Sequence, residues 1–231
     1  RLSNGFSICS RGKKKMMKVV EDLWFKNRSL VCKDMDESME YLKGILPFEI
    51  HEIPTGTECW TWKVPEEWVV NDAYIEDSKG NRLLDFKDNP LHLVSYSLSI
   101  DKEVSKEELM KHLHSKPERP GAIPFVFKYY DRDWGFCIEH KKLKNFTDDK
   151  YHVVIDTDFK EGKLKVAEYK ITGKKAETIV LIAHLCHPAQ VNDALSGVAI
   201  MLDIAKELEK KKDLYYSYKI VIVPESIGSI A

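Results

Sequence analysis

Four residues close together in the last quarter of the chain have the types and spacing for metal chemistry: His184, His187, Asp193 and Glu225. Each sits just beyond a point where an apolar run gives way to polar residues. Residues 178–183 run into His184-Leu185-Cys186-His187-Pro188, and residues 218–223 run into Pro224-Glu225. Between them, Asn192-Asp193-Ala194-Leu195-Ser196-Gly197 leads into an amphipathic segment. Imidazole nitrogen and carboxylate oxygen together suit zinc or a similar divalent ion. A carboxylate can also bridge two ions, and a nearby glutamate can take a proton from water. Simpler readings compete at every position. A histidine after a strand is often only a loop residue, Asp193 or Ser196 could be a helix cap, and Glu225 could serve a salt bridge. Spacing alone does not decide which of His184 and His187 points inward. Cys186 adjoins His187, and neighbours in an extended segment face opposite sides, so no cysteine–histidine nucleophilic couple is expected.

These residues need a frame. The run Thr178-Ile179-Val180-Leu181-Ile182-Ala183 is short and β-branched, which predicts a buried strand. Val198, Met201, Leu202, Ala205 and Leu208 recur three and four apart, which predicts a helix over 197–210 with one buried stripe. Tyr218-Lys219-Ile220-Val221-Ile222-Val223 predicts a second strand. Strand, helix and strand with short joins form a βαβ unit with parallel strands. Ligands of open α/β sheets bind outside the carboxyl ends of the strands, where the four residues fall.

Upstream the texture differs. Residues 1–18 read as a disordered basic leader and 19–47 as a helical lead-in to the core, with Val20, Leu23 and Trp24 on one face. Residues 48–146 read as a small β-rich α+β accessory domain, and 147–231 as the first part of the α/β core. Within the accessory block, Trp60, Trp62 and Val64 alternate as in a half-buried strand. Asn71 to Phe86 predicts a hairpin around Gly80, 92–98 a strand, 103–114 a short helix capped by Ser105, and 125–127 and 134–137 short strands. A further hairpin is expected around Lys160-Glu161-Gly162-Lys163. The tryptophans Trp60, Trp62, Trp68 and Trp134 are expected in the core rather than stacked on a sugar.

Composition excludes several function classes. Among 231 residues, 36 Lys+Arg balance 37 Asp+Glu, so no excess of positive charge exists to hold a nucleic acid. No stretch reaches the roughly 18 apolar residues of a membrane helix. Five scattered cysteines without a CxxC pair read as free thiols in a reducing cytoplasm.

The motifs Cys186-His187-Pro188, Asn192-Asp193-Ala194-Leu195-Ser196-Gly197 and Pro224-Glu225-Ser226-Ile227-Gly228, with Ile53-Pro54-Thr55-Gly56-Thr57, Trp62-Lys63-Val64-Pro65-Glu66-Glu67-Trp68 and Trp134-Gly135-Phe136-Cys137 before them, resemble an aminopeptidase-like family of zinc-peptidase fold found beside polysaccharide-biosynthesis genes. The resemblance extends from Val19 to Ala231. It implies an incomplete zinc aminopeptidase-like α/β core carrying an inserted or preceding accessory domain. It implies two zinc ions in a protein nearer twice this length, of which this chain is an N-terminal fragment. Asp193 fits the family's Asp-x-x-Ser-Gly stretch and His187 its Cys-His-Pro histidine, with His184 as the alternative. Related peptidases carry two adjacent glutamates after the next strand. Here Pro224-Glu225-Ser226 offers one, so Glu225 is either the base or a ligand. The implied activity is hydrolysis of an N-terminal peptide or related amide bond by metal-activated water, on a peptide or aminoacyl substrate, with the fragment itself inactive. The alternative is a non-catalytic binding or assembly protein that keeps the fold, linked to glycan biosynthesis. A homo-oligomer is compatible with either.

Overall fold

In the computed structural model, residues 10–231 are described, with side chains from Met16. Helix α1 (Ser10–Leu23) and helix α2 (Lys33–Lys43) come first. Ser10 to Lys18 are therefore helical, which corrects the expected leader over that stretch; residues 1–9 lie outside the described residues. Val19 and Leu23 face the core, whereas Trp24 is exposed.

Two four-stranded sheets follow. Strand β1 (Glu49–Pro54) is followed by the two-residue strands β2 (Glu58–Cys59) and β3 (Trp62–Lys63), then β4 (Glu67–Glu76) and β5 (Arg82–Asp85). Next come β6 (Ile100–Ser105), α3 (Lys106–Lys111), the short β7 (Leu113–His114) and β8 (Phe136–Cys137), and β9 (Lys150–Lys160). The chain then forms β10 (Lys163–Ile171), β11 (Thr178–His184), α4 (Ser196–Glu209), β12 (Ser217–Val223) and a last turn, α5 (Ile227–Ile230). The first sheet has the order β1-β10-β12-β11, and the second β5-β4-β9-β6. Only β11 and β12 run parallel within them, in the register Ala183↔Ile222 and His184↔Val223. That is the expected βαβ unit. Val198, Met201, Leu202 and Ala205 of α4 are buried beneath it.

The sheets divide the chain differently from the boundaries at 48 and 146. Strand β1 pairs with β10, so it belongs to the core sheet, and β9 pairs with β4 and β6, so it belongs to the second. The second sheet is thus an insertion between β1 and β10. No hairpin forms around Lys160 to Lys163, because β9 and β10 lie in different sheets. Gly162 makes the crossing. A Cβ there would lie 2.6 Å from the Glu67 Cβ. Its amide donates to Thr55 Oγ1 at 3.0 Å and its carbonyl accepts from the Thr55 amide at 3.0 Å.

Three further local expectations differ. Trp60 does not continue a strand: Cys59 pairs with Trp62, and Trp60 occupies the turn with φ 55° and 89% exposure. Residues 92–98 make only single bridges, Leu93 to Phe136 and Ser95 to Phe127. Strand β11 is an edge of its sheet, which leaves Ile179, Val180 and Ile182 exposed rather than buried. By contrast the hairpin at Gly80 (φ 80°) and the Ser105 cap, accepting from the Glu108 amide at 3.2 Å, form as expected. Trp68 and Trp134 are core residues; Trp68 stacks on Tyr96 and donates to Ser97 O at 3.1 Å. Cys32, Cys59, Cys137 and Cys186 are buried free thiols. Among the described residues no helix is long and apolar enough to cross a membrane.

The inserted unit carries its own pH dependence. His92 is buried with Nδ1 2.8 Å from Cys137 O. Burial, opposed by a smaller pull from that carbonyl, holds its pKa below the ordinary 6.5. A depressed histidine binds its proton more readily unfolded, so stability rises with pH through this window and falls below it. The melting temperature should drop as pH is lowered from 7.5 to 5, and His92→Gln should flatten that slope. His152, whose pKa is raised by Asp101, acts in the opposite sense, so the comparison is between parent and variant. Superimposable pH profiles in calorimetry would refute the assignment.

Candidate metal centre

Strand β11 delivers His184 and the loop after it delivers Cys186 and His187; β12 delivers Glu225 two residues past its end. Because β11 and β12 are parallel and in register, both ends open at the same edge. Asp193 lies in the segment Val191–Leu195 that enters α4, with φ −122° and ψ 90°, off the helical path. The Asp193 side chain reaches both histidines at the strand ends.

His187 is the centre of the group and is 5% exposed. Its Nε2 is 3.2 Å from Glu225 Oε2, and its Nδ1 is 4.0 Å from Asp193 Oδ1. His184 Nε2 is 3.3 Å from the same Asp193 oxygen. The two imidazoles lie edge to face, 5.2 Å between centroids. Spacing left open which histidine points inward; both do. Donor atoms of His184, Cys186, His187 and Glu225 all fall within 4.8 Å of one another. Asp193 borders this set through its contacts to both histidines.

Electrostatics keep the central ring uncharged. Burial pulls the His187 pKa below 6.5, and the Asp193 and Glu225 carboxylates only partly oppose this. The ring is therefore neutral near pH 7, the form that ligates metal. Burial pushes the Cys186 thiol up to about 12. Its sulfur accepts the Glu225 amide at 2.9 Å, which ties the loop after β11 to the end of β12.

Three neighbours were not anticipated. Cys186 shares the cluster with its neighbour His187, so the expectation that the two side chains face opposite sides does not hold here. Phe125, from the inserted unit, packs edge-on against His187 with centroids 5.0 Å apart. Arg28, from the link between α1 and α2, donates to main-chain carbonyls on both sides of Cys186. Only the Cys186 position, beside His187, carried a signal in the sequence.

A family model described as a domain of unknown function, DUF4910, matches residues 17–231. The chain belongs to the DUF4910 family. This DUF4910 chain is 41% identical over 212 residues to a Clostridium acetobutylicum protein named as a polysaccharide biosynthesis protein with aminopeptidase-like domain, which covers 92% of this chain. A crystal structure described as a peptidase from Clostridium acetobutylicum matches with a TM-score of 0.89 at 40% identity, over 95% of this chain and 52% of that one. The chain spans about half the length of these relatives, 49% of the first. Two more distant structures share the fold. They are a zinc aminopeptidase from Bacillus subtilis, with TM-score 0.56, 10% identity and coverage of 93% and 60%, and a peptidase M28 precursor from Shewanella amazonensis, with TM-score 0.55, 11% identity and coverage of 94% and 65%. The DUF4910 chain thus has a mixed α/β fold of the zinc aminopeptidase type.

Proposed function

We propose that this chain supplies metal ligands and the proton-transfer carboxylate of a zinc-dependent aminopeptidase-like hydrolase. The observation that carries the reading is the gathering of two imidazoles and a carboxylate at the carboxyl ends of two parallel strands, within 4.8 Å. The donor set suits zinc. His184 Nδ1 is also buried with no hydrogen-bond partner among the described residues, as expected of a nitrogen left for a ligand. His184, His187 and Asp193 would hold the metal, with Asp193 between the two histidines and Glu225 beside His187. Zinc bound there supplies Lewis-acid polarisation of a carbonyl and lowers the pKa of water.

The chain's own residues do the rest. Glu225 has a half-exposed carboxylate, so it can meet substrate and solvent while its oxygen stays beside His187. It accepts the proton of the attacking water and returns it to the leaving amine. Buried His187 keeps a neutral ring between the two carboxylates and fixes their separation. Phe125 excludes water from the far side of that ring. A two-ion centre needs more donors than these four side chains, so tight two-metal binding and turnover are assigned to the whole protein, with residues 1–231 alone inactive. The substrate is a peptide or aminoacyl compound, and the name of the Clostridium acetobutylicum relative supports a link to polysaccharide biosynthesis.

Metal analysis of the whole protein, joined to a screen of aminoacyl and peptide substrates, tests this. Two zinc per chain with release of N-terminal residues is expected. Metal-free purification without uptake of added zinc, and no hydrolysis across the screen, would favour a binding or assembly protein that keeps the fold.

A further inference from the structure

Arg28 is 1% exposed, yet it belongs to neither sheet and lies more than 150 residues before the proposed ligands. Its Nε donates to Leu185 O at 2.8 Å, its Nη2 to His187 O at 2.7 Å, and its Nη1 to Leu23 O. Among the described residues every hydrogen bond of the guanidinium goes to a main-chain oxygen, with Asp34 acting on it only through space. A buried charge ordinarily has a carboxylate partner. Here carbonyl dipoles from the end of α1 and from the loop after β11 take that place. Burial lowers the pKa only to about 10, so the group remains charged at neutral pH.

The two carbonyls on the loop belong to residues two apart and flank Cys186. One planar fork fixes both, which sets the path of the chain from His184 through His187. Leu185 is held from the other side, its amide donating to Val223 O at 3.0 Å. The Cys186 sulfur between them receives the Glu225 amide. The loop is therefore pinned by Arg28 on one side and by the end of β12 on the other.

We propose that Arg28 is a positioning residue that clamps the loop after β11 through the Leu185 and His187 carbonyls, and so sets the alignment of the metal-binding imidazoles. As far as it concerns metal, this rests on the proposed function. The clamp itself does not. A lysine keeps the charge but has no planar fork and cannot reproduce both bonds in this geometry.

The test uses Arg28→Lys in the whole protein, with Leu109→Ala, a buried helix residue of the inserted unit, as a control for general destabilisation. Hydrogen exchange in the metal-free proteins is the first readout. The Leu185 amide should exchange at least about tenfold faster in Arg28→Lys, through local opening, and Leu109→Ala should leave it unchanged relative to the rest of its sheet. The second readout, well below either melting temperature, is zinc affinity and the visible absorption of the cobalt-substituted protein. Arg28→Lys should bind about 10–100-fold more weakly, the usual cost of losing a ligand-orienting contact, with an altered cobalt spectrum. Leu109→Ala should match the parent in both. Unchanged exchange at Leu185 overturns the clamp. Faster exchange with the parent's affinity and spectrum overturns its role in alignment. If the parent takes up no metal, the proposed function fails, and the exchange result alone decides the clamp. Should Arg28→Lys not fold, Arg28→Gln, which keeps two donors without the charge, is measured in the same way.

Discussion

Glu225→Gln is expected to reduce hydrolysis by the whole protein about 10²–10⁴-fold, the range attributed to a positioned general base. The amide is nearly isosteric with the carboxylate, so the packing at the end of β12 changes little. The main-chain bond from residue 225 to the Cys186 sulfur does not involve the side chain and should survive. What goes is a carboxylate oxygen 3.2 Å from the His187 ring. Glutamine cannot accept and return a proton at neutral pH. The same variant separates the two roles the sequence left open. If Glu225 is the base alone, zinc content stays at the parent's level while kcat falls. If it is a ligand, zinc content falls with the rate. Activity equal to the parent's would remove Glu225 from the mechanism. A shift of melting temperature matching the loss of rate would instead mark the residue as structural.

The legibility of the site depended on how local its determinants were. Strand β11, helix α4 and strand β12 were readable because each rests on its own periodicity, and the joins between them are short enough to force a parallel pair. That frame is sufficient to bring His184, His187 and Glu225 to one edge. Features set by distant partners were not readable. The Trp60, Trp62, Val64 alternation imitates a strand, but the positive φ at Trp60 turns the chain, and no spacing rule reports φ. Lys160 to Lys163 has the chemistry of a hairpin turn, yet β9 pairs through Glu67↔Lys160 with a strand far upstream. Turn residues specify a reversal and not the sheet on either side. Arg28 is the extreme case. Two of its three acceptors are backbone atoms 157 and 159 residues away, and a carbonyl has no side-chain identity to recognise. The exposed β-branched face of β11 has the same origin. An apolar strand reads as buried, but its neighbours decide whether it is.

His187→Ala is expected to have the larger effect on metal. Its ring is 6% exposed and stands between both carboxylates, with Glu225 3.2 Å from one nitrogen and Asp193 4.0 Å from the other. His184 is 27% exposed, and among the described residues Asp193 is the one acidic group within 4.0 Å of its ring nitrogens. Removing the central imidazole deletes a donor and also leaves two carboxylates facing each other across the space it filled. Like charges at that range oppose each other, and one of them will swing into solvent. The site then loses its geometry as well as one ligand. Zinc affinity should fall by more than the ~10–100-fold that follows loss of an outer contact, and hydrolysis should fall with it. His184→Ala removes a donor at the rim and should weaken zinc binding less, with Asp193 still held near His187. Competition titration against a chelator of known affinity measures both. The order His187 above His184 follows from burial and from the number of acidic neighbours. The reverse order would place the ion toward Asp193 and the solvent side of the cluster, and parent-like affinity in His187→Ala would exclude that ring as a ligand altogether.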